Sequence, residues 1–397
     1  MTAPIRVLCL DIEGGFGGSS RSLFESLSFM DRAAVQPEVW CMKDGPIRSR
    51  YEALNLPCRV APELPRMNTL RRLSRNVYGY SRWVLDFVRT RAGREELLRA
   101  VTERFDLVHF NHESLFGLAG WLRRHHAKAQ TTHIRTVVAH NLFSRMQARC
   151  LIAANDRLVF ITENEKANIE ALAGRAADGA VIYNVAMPPA PGIEPHPAIP
   201  PDGRLKVAVL SNYDWQRGID RVVEVAAELK RRGDCNVMFV VAGDPRLRGT
   251  LPGALAAFRG RTLADYAEVQ GVADMILFMG HVSDPERVLI GCDVLFKPTR
   301  ANNPWGRDII EGLAAARPVV SIGHYNRFVE SGETGYLLPS YDVAAMAGVF
   351  QTMHADPVLR RRLGENASRR VAALCNGPDR ARDLFAVWQA AVAERAA

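Results

Sequence analysis

Two doubly wound α/β domains, each built on a parallel sheet, are what the sequence predicts, and three observations carry the prediction. At 397 residues the chain exceeds what one compact core serves and suits two domains of ordinary size. Short β-branched runs alternate with helical segments from the start, as in parallel sheets covered by helices on both faces. A proline-dense stretch interrupts that alternation midway, and afterwards it restarts.

Taken in order, residues 1–187 offer the strand IRVLCL, the helix SSRSLFESLSFMDRAA and then the strands PEVWCM, DLVHFN, DRLVFIT and AVIYN. Residues 188–203 carry Pro188, Pro189, Pro191, Pro195, Pro197, Pro200 and Pro201. Such a segment is neither helix nor central strand, so it reads as a stiff linker. Residues 204–378 repeat the pattern with KVAVLS, the helix GIDRVVEVAAELKRR, and then NVMFVVAG, MILFMG, DVLFKP, RPVVSIG and GYLLP. The last stretch, 379–397, contains ARDLFAVWQAAVAERAA, a good helix former expected to pack back on the first domain.

Composition is that of an ordinary globular protein, 48% hydrophobic and 24% charged, which sets aside disordered and fibrous classes. The apolar run in MTAPIRVLCLDIEGG is too short for a signal-peptide core or a membrane span, so a cytoplasmic start is expected. Seven scattered cysteines without a Cys-x-x-Cys pair read as reduced, buried small hydrophobes.

Ligands of open parallel sheets bind beyond the carboxyl ends of the strands, and two such domains are expected to turn those ends toward each other. The first loop there is DIEGGFGGSSRS, where Gly14, Gly15, Gly17 and Gly18 let backbone approach a ligand and Ser19 or Ser20 can cap the next helix. Ser20 stands where a dinucleotide fingerprint needs its third glycine, and a plain tight turn also accounts for the loop. In LSNYDWQRGIDRVV, Arg217 falls just before Gly218 opens a helix, where a guanidinium can grip phosphate oxygens; an isolated surface arginine is the plainer reading.

The third loop is NNPWGRDIIEGLAAARPVVSIG, residues 302–323. Pro304 and Gly306 make a turn, the amides around Gly306 and Arg307 point out of a helix N-terminus, and Glu311 follows one and a half turns later. That helix end favours an anion, and a carboxylate can take both hydroxyls of a ribose. A solvated helix acid is the alternative, against which Ile310, Leu313, Ala314 and Ala315 suggest a helix packed on several sides.

The order Asn303-Pro304-Trp305-Gly306, Glu311, ARPVVSIG and ESGETGYLLP resembles the retaining glycosyltransferases of family 4, which have the GT-B fold. Gly243 in VVAGD, Gly280 and His281 in LFMGHVSD, Asp293 in GCDVLFKP and the 14–18 glycines fall in the family's order. The resemblance implies that Glu311 binds the nucleotide ribose, that Arg217 and the amides of Gly306 and Arg307 hold the diphosphate, and that Asn303 faces the donor sugar. Asn303 stands where the family has its first Glu, and the family's paired Arg and Lys appear as Asn212 and Arg217. Donor contacts are therefore expected at Gly15, Gly17, Gly18, Asn212, Arg217, Gly243, His281, Asn303, Trp305, Gly306, Arg307 and Glu311. In TTHIRTVVAHN, His133 and Arg135 occupy the strand end where the family often places a His near the reacting sugar, with His109 and His112 as weaker candidates.

No Asp-x-Asp follows a strand and no His or acid spacing suits a metal, so no metal and no cofactor are expected; backbone amides and Arg217 would offset the leaving charge. The net charge of +8 concentrates in residues 66–104, ten arginines against four acids, or +6. Within it Leu70, Leu73, Val77, Tyr80, Val84 and Phe87 share one helical face and Arg71, Arg72, Arg75, Arg82 and Arg89 the other. This permits residues 66–94 to seat on an anionic membrane surface, while a core-packed helix with a solvated basic face explains it equally. No aromatic-basic motif points to nucleic acid.

The expectation is thus a metal-independent enzyme of the cytoplasm, peripheral on the inner membrane face, moving a sugar with retention from a nucleotide-sugar to a saccharide or lipid-linked acceptor. A non-catalytic sugar-nucleotide binder and a nicotinamide-dependent oxidoreductase stay open at this point.

Overall fold

The computed structural model describes residues 3–65, 77–247, 251 and 253–396. Its contacts divide the chain into two compact units, Met1–Val185 with Gly377–Ala397, and Ala186–Asn376. The first contains β1 (Ile5–Asp11), β2 (Val35–Cys41), β3 (Cys58–Val60), β4 (Leu107–Phe110), β5 (Ala129–Ile134), β6 (Arg157–Phe160) and β7 (Gly179–Val181). They form one sheet in the order β3-β2-β1-β4-β5-β6-β7, with every neighbouring pair parallel. Val7, Leu8, Cys9 and Leu10 are all fully buried, as a strand covered on both faces requires. Pro37 is tolerated inside β2 because β3 pairs only from Val39 onward, so the missing donor faces no partner there.

The second unit contains β8 (Leu205–Leu210), β9 (Val237–Ala242), β10 (Ile276–Gly280), β11 (Val294–Lys297), β12 (Val319–Ile322) and β13 (Gly335–Leu338). Their order is β10-β9-β8-β11-β12-β13, again parallel. Val207, Phe239, Phe296 and Phe350 lie in its core, the last three rings meeting at 5.2–6.3 Å between centroids. In each sheet the strand order reverses at one point, between β1 and β4 and between β8 and β11. Loops leaving such a reversal diverge and open a crevice.

The final helix, Gly377–Ala396, presents Ala381, Leu384, Trp388 and Ala391 at helical spacing to the core of the first unit, beside Val7, Leu23 and Leu27. Gly377 admits no side chain, since a Cβ would stand 2.3 Å from the Phe29 ring.

The proline-rich stretch is not a free-standing spacer. It belongs to the second unit, where Arg287 donates to Glu194 O at 3.0 Å and Pro195 O at 3.2 Å, His196 N donates to Arg287 O at 3.0 Å, and Ile199 is buried. Proline density forbids helix and central strand, but it does not forbid packing.

Candidate active site

At the reversal in the second unit, the loops after β8 and β11 hold each other. Gly218 has φ +69°, and a Cβ on it would meet Pro298 O at 2.0 Å. Arg221 donates to Pro298 O (3.1 Å) and Thr299 O (2.8 Å), and Arg300 N donates to Gln216 O (2.8 Å). Arg300 also pairs with buried Asp220 at 2.5 Å and lies 3.4 Å from the centroid of the Trp215 ring.

Arg217 ends a short 3-10 turn, Trp215–Arg217, and the α-helix begins only at Arg221. The expectation that Gly218 opens that helix is therefore corrected: Gly218 is the left-handed stop of the turn. Arg217 is exposed and donates to Ser211 Oγ at 2.6 Å. Asn212 offers its side-chain oxygen to the Asp244 amide (2.7 Å), pinning the loop after β9, and Gly243 N donates to Gly280 O (2.7 Å). A Cβ on Gly243 would collide with Ser211 O at 2.1 Å, which explains glycine there. His281 follows Gly280 and is exposed.

Beyond β11 the chain passes Asn303, whose Oδ1 accepts from Thr299 Oγ1 at 2.5 Å, and Trp305, which packs on Tyr325 at 5.3 Å between ring centroids. Gly306 caps the Arg307–Ala314 helix with φ +124°, a conformation that favours glycine. Glu311 is not a solvated acid: its side chain is 11% exposed and pairs with Arg307 at 2.9 Å, one turn back along the helix. Ile310, Leu313, Ala314 and Ala315 are buried around it.

Lys297 was missed by the sequence reading. It ends β11, its side chain is 15% exposed, and its ammonium donates to Trp305 O (2.5 Å) and Asp308 Oδ1 (2.9 Å). A lysine at the carboxyl end of a parallel strand was the available signal.

In the first unit the loop after β1 divides its glycines between two tasks. Gly14 packs against the 43–45 turn, where a Cβ would meet Lys43 O at 2.2 Å, whereas a Cβ on Gly15 would meet nothing nearer than 4.0 Å and one on Gly17 the Glu13 carboxylate at 3.0 Å. The helix Gly18–Ser28 starts at N-cap Gly17 without a side-chain cap. Neither serine caps it, and Ser20 is buried inside, turned toward the Asp11 carboxyl.

The ends of β4 and β5 bring His133, Arg135, Asn111 and Glu113 together. Arg135 is buried and anchored: it donates to Asn184 Oδ1 (2.9 Å) and to Asn111 Oδ1 (2.5 Å), and its amide donates to Glu113 Oε2 (2.8 Å). Asn111 in turn donates to the buried Asp11 carboxyl at 3.1 Å, whose pKa burial raises.

Neither ring nitrogen of buried His133 has a partner among the described residues. Burial, reinforced by the Arg135 charge, holds its pKa well below the ordinary value, so the ring is neutral at pH 7. His109 is a packing residue, 2.9 Å from Thr131 Oγ1 and accepting from Trp388 Nε1 at 3.3 Å, and burial lowers its pKa to about 3. His112 caps the turn that follows it, accepting from Ser114 N at 3.1 Å.

Of the basic helix, Leu70, Leu73, Arg71, Arg72 and Arg75 lie outside the described residues, as do the side chains of Val77 and Tyr80. Within Val77–Arg89, Val84 and Phe87 differ in exposure although they are one helical turn apart. Phe87 and Trp83 turn inward, under Arg94 at 4.0 Å and onto Phe116 at 6.0 Å, while Val84 (41%), Leu85 (46%) and Val88 (63%) are exposed. Among the described residues no helix is long and apolar enough to cross a membrane, and no three His, Cys, Asp or Glu side chains converge as metal ligands.

The family profile described as "Glycosyl transferases group 1" matches residues 195–370, and that of "Glycosyltransferase Family 4" matches residues 16–186. The alpha-D-kanosaminyltransferase of Streptomyces kanamyceticus is 32% identical over 42% of this chain and 41% of its own length. The D-inositol 3-phosphate glycosyltransferase of Streptomyces avermitilis is 28% identical over 72% of this chain and 66% of its own. The chain thus spans less than two thirds of each. Among solved structures, Anabaena HepE in complex with UDP superposes with a TM-score of 0.74 at 16% identity, over 97% of this chain and 100% of that one. Sucrose-phosphate synthase from Thermosynechococcus elongatus does so at 0.73 and 18%, over 98% and 100%. At such identities the likeness speaks for the fold alone.

Proposed function

Because the chain belongs to the family 4 glycosyltransferases, whose profiles match residues 16–186 and 195–370 of this GT-B fold, we propose that it transfers a sugar from a nucleotide-sugar to a saccharide or lipid-linked acceptor with retention of configuration. The observation that carries this reading is the start of the Arg307–Ala314 helix. The helix N-terminus that opens at Gly306 favours an anion, and a nearly buried carboxylate, Glu311, lies one turn further in. A diphosphate followed by a ribose fits that pairing of donors and acceptor.

Arg217, on the facing loop after β8, is the side-chain cation for the diphosphate. Asn303 lies toward the sugar, and within the first unit the loop with Gly15 and Gly17 offers a ligand close backbone approach. On the acceptor side neutral His133 has both ring nitrogens buried and unpartnered among the described residues, whereas Arg135 is anchored by Asn111 and Asn184 and serves by holding the loop in place. The acceptor hydroxyl attacks on the face the diphosphate leaves, and the departing phosphate takes its proton. No resident metal or cofactor is proposed; amides and Arg217 face the leaving charge. The exposed apolar face of the Val77–Arg89 helix, edged by Arg82 and Arg89, is proposed as the seat on an anionic inner-membrane surface that carries a lipid-linked acceptor.

Calorimetry with UDP and GDP tests the donor site, UDP being the ligand in the HepE complex. Glu311→Gln should weaken nucleoside diphosphate binding by roughly 1–3 kcal/mol, because charge-assisted bonds to ribose hydroxyls are lost. An unchanged affinity would sink the ribose assignment. Sugar turnover by the wild type separates an enzyme from a non-catalytic binder, a reading favoured by Asn303, whose carbonyl is already taken by Thr299.

A further inference from the structure

We propose that Lys297 is a positioning residue: it neutralises Asp308 and aims the Gly306 amide, keeping the start of the Arg307–Ala314 helix receptive to the donor diphosphate. The inference rests on the reading that this helix end binds the diphosphate.

Asp308 lies in the first turn of that helix and accepts from Ile309 N at 3.0 Å. Such a carboxylate suits a helix N-terminus, since the dipole there attracts negative charge. For a site that must admit an anion it is the wrong charge, because it competes for the amides and repels the ligand. A lysine in the same place is equally unexpected alone, as the dipole repels it. Together they cancel. The Lys297 ammonium is 2.9 Å from Asp308 Oδ1, and both side chains are mostly buried, 15% and 23% exposed, so solvent screens the pair only in part.

The second contact sets direction. Lys297 Nζ donates to Trp305 O at 2.5 Å. The peptide joining Trp305 to Gly306 is planar and trans, as no cis bond occurs among the described residues, so a carbonyl aimed at Lys297 turns the Gly306 N–H the opposite way. A Cβ on Gly306 would stand 3.0 Å from both Lys297 Nζ and Asp308 Oδ1, which places the pair directly against the turn. Lys297 therefore acts on the turn and on Asp308, and through them on the ligand.

The test is calorimetric titration of UDP and GDP into the full-length chain as wild type, Lys297→Met, Lys297→Arg, Asp308→Asn and Lys297→Met/Asp308→Asn, with Glu311→Gln alongside. Lys297→Met, which leaves Asp308 unpaired, should weaken binding about tenfold or more, while the double variant regains most of that loss, a coupling of about 1 kcal/mol or more. Asp308→Asn alone should bind as tightly as wild type or tighter, and Lys297→Arg should lose little.

Lys297→Met binding like wild type overturns the inference, and so does a double variant as weak as Lys297→Met, which would mean packing alone. Should Lys297→Met fail to fold, Asp308→Asn decides: a loss of about tenfold from removing that carboxylate overturns the charge argument. If Glu311→Gln weakens binding and Lys297→Met does not, only this inference falls. If the wild type binds neither diphosphate, the donor reading falls and takes the inference with it.

Discussion

Arg217 shows how much one side chain is asked to do in this chain. In the proposed donor site Asn212 stands at the first position of the family's cation pair, with its carbonyl oxygen accepting from the Asp244 amide, which leaves Arg217 as the proposed side-chain cation of that pair. Its guanidinium is exposed and tethered to Ser211 Oγ, a contact that a diphosphate can share or displace. Charge on the leaving group grows as the glycosidic bond breaks, so a cation there stabilises the transition state more than the bound donor. Arg217→Ala should lower kcat by about 10²-fold or more and donor affinity by less. Arg217→Lys should restore only part of the rate, because the charge is kept while the bidentate fork is lost. Steady-state kinetics at saturating donor check both; wild-type turnover by Arg217→Ala would move the phosphate site elsewhere. The places of Glu311 on a packed helix and of Arg217 in a strand-end loop were legible in the sequence because loop position and motif order coincide there. Lys297 was not, because its meaning depends on Trp305 and Asp308 folding back over the strand end.

At the scale of elements, the Val77–Arg89 helix is informative because it does not bury its whole apolar complement. Trp83 and Phe87 face Phe116 and Arg94, whereas Val84, Leu85 and Val88 are exposed on the same helix. Replacing these three by serine should reduce sedimentation with phosphatidylglycerol vesicles, with thermal unfolding of the variant checking that the fold is kept. Arg82→Gln with Arg89→Gln should weaken binding by about 1 kcal/mol per charge. A wild type that stays in solution with such vesicles at low salt ends the membrane proposal. Strands were readable from sequence wherever both faces are buried, as in β1 and β8, because an unbroken apolar run leaves little else to form. Helical faces were less so: the pattern assigned Phe87 and Val84 to one side, and local packing of Phe87 under Arg94 and against Trp83 covers the one while leaving the other exposed. For the proline stretch, composition shows what a segment cannot form and not what it packs against.

For the whole molecule, the chain's order and its architecture differ in one respect that can be measured. The last helix returns to the first unit, so the core around β1 is completed by residues from the far end of the chain. Trp388 is fully buried there, donates to His109 at 3.3 Å and meets its ring at 5.4 Å. Trp388→Ala should destabilise the first unit by about 3–5 kcal/mol, the usual loss for a large aromatic removed from a core. Each unit has its own core, so unfolding need not be two-state, and scanning calorimetry should resolve separate transitions. A bound nucleoside diphosphate should raise only the transition of the second unit, in proportion to the logarithm of its concentration above Kd. The Trp388→Ala variant should then show a lowered first-unit transition, an unmoved second-unit transition and wild-type diphosphate affinity. A single transition that falls with Trp388→Ala and rises with ligand would instead mean that the two cores unfold as one cooperative body.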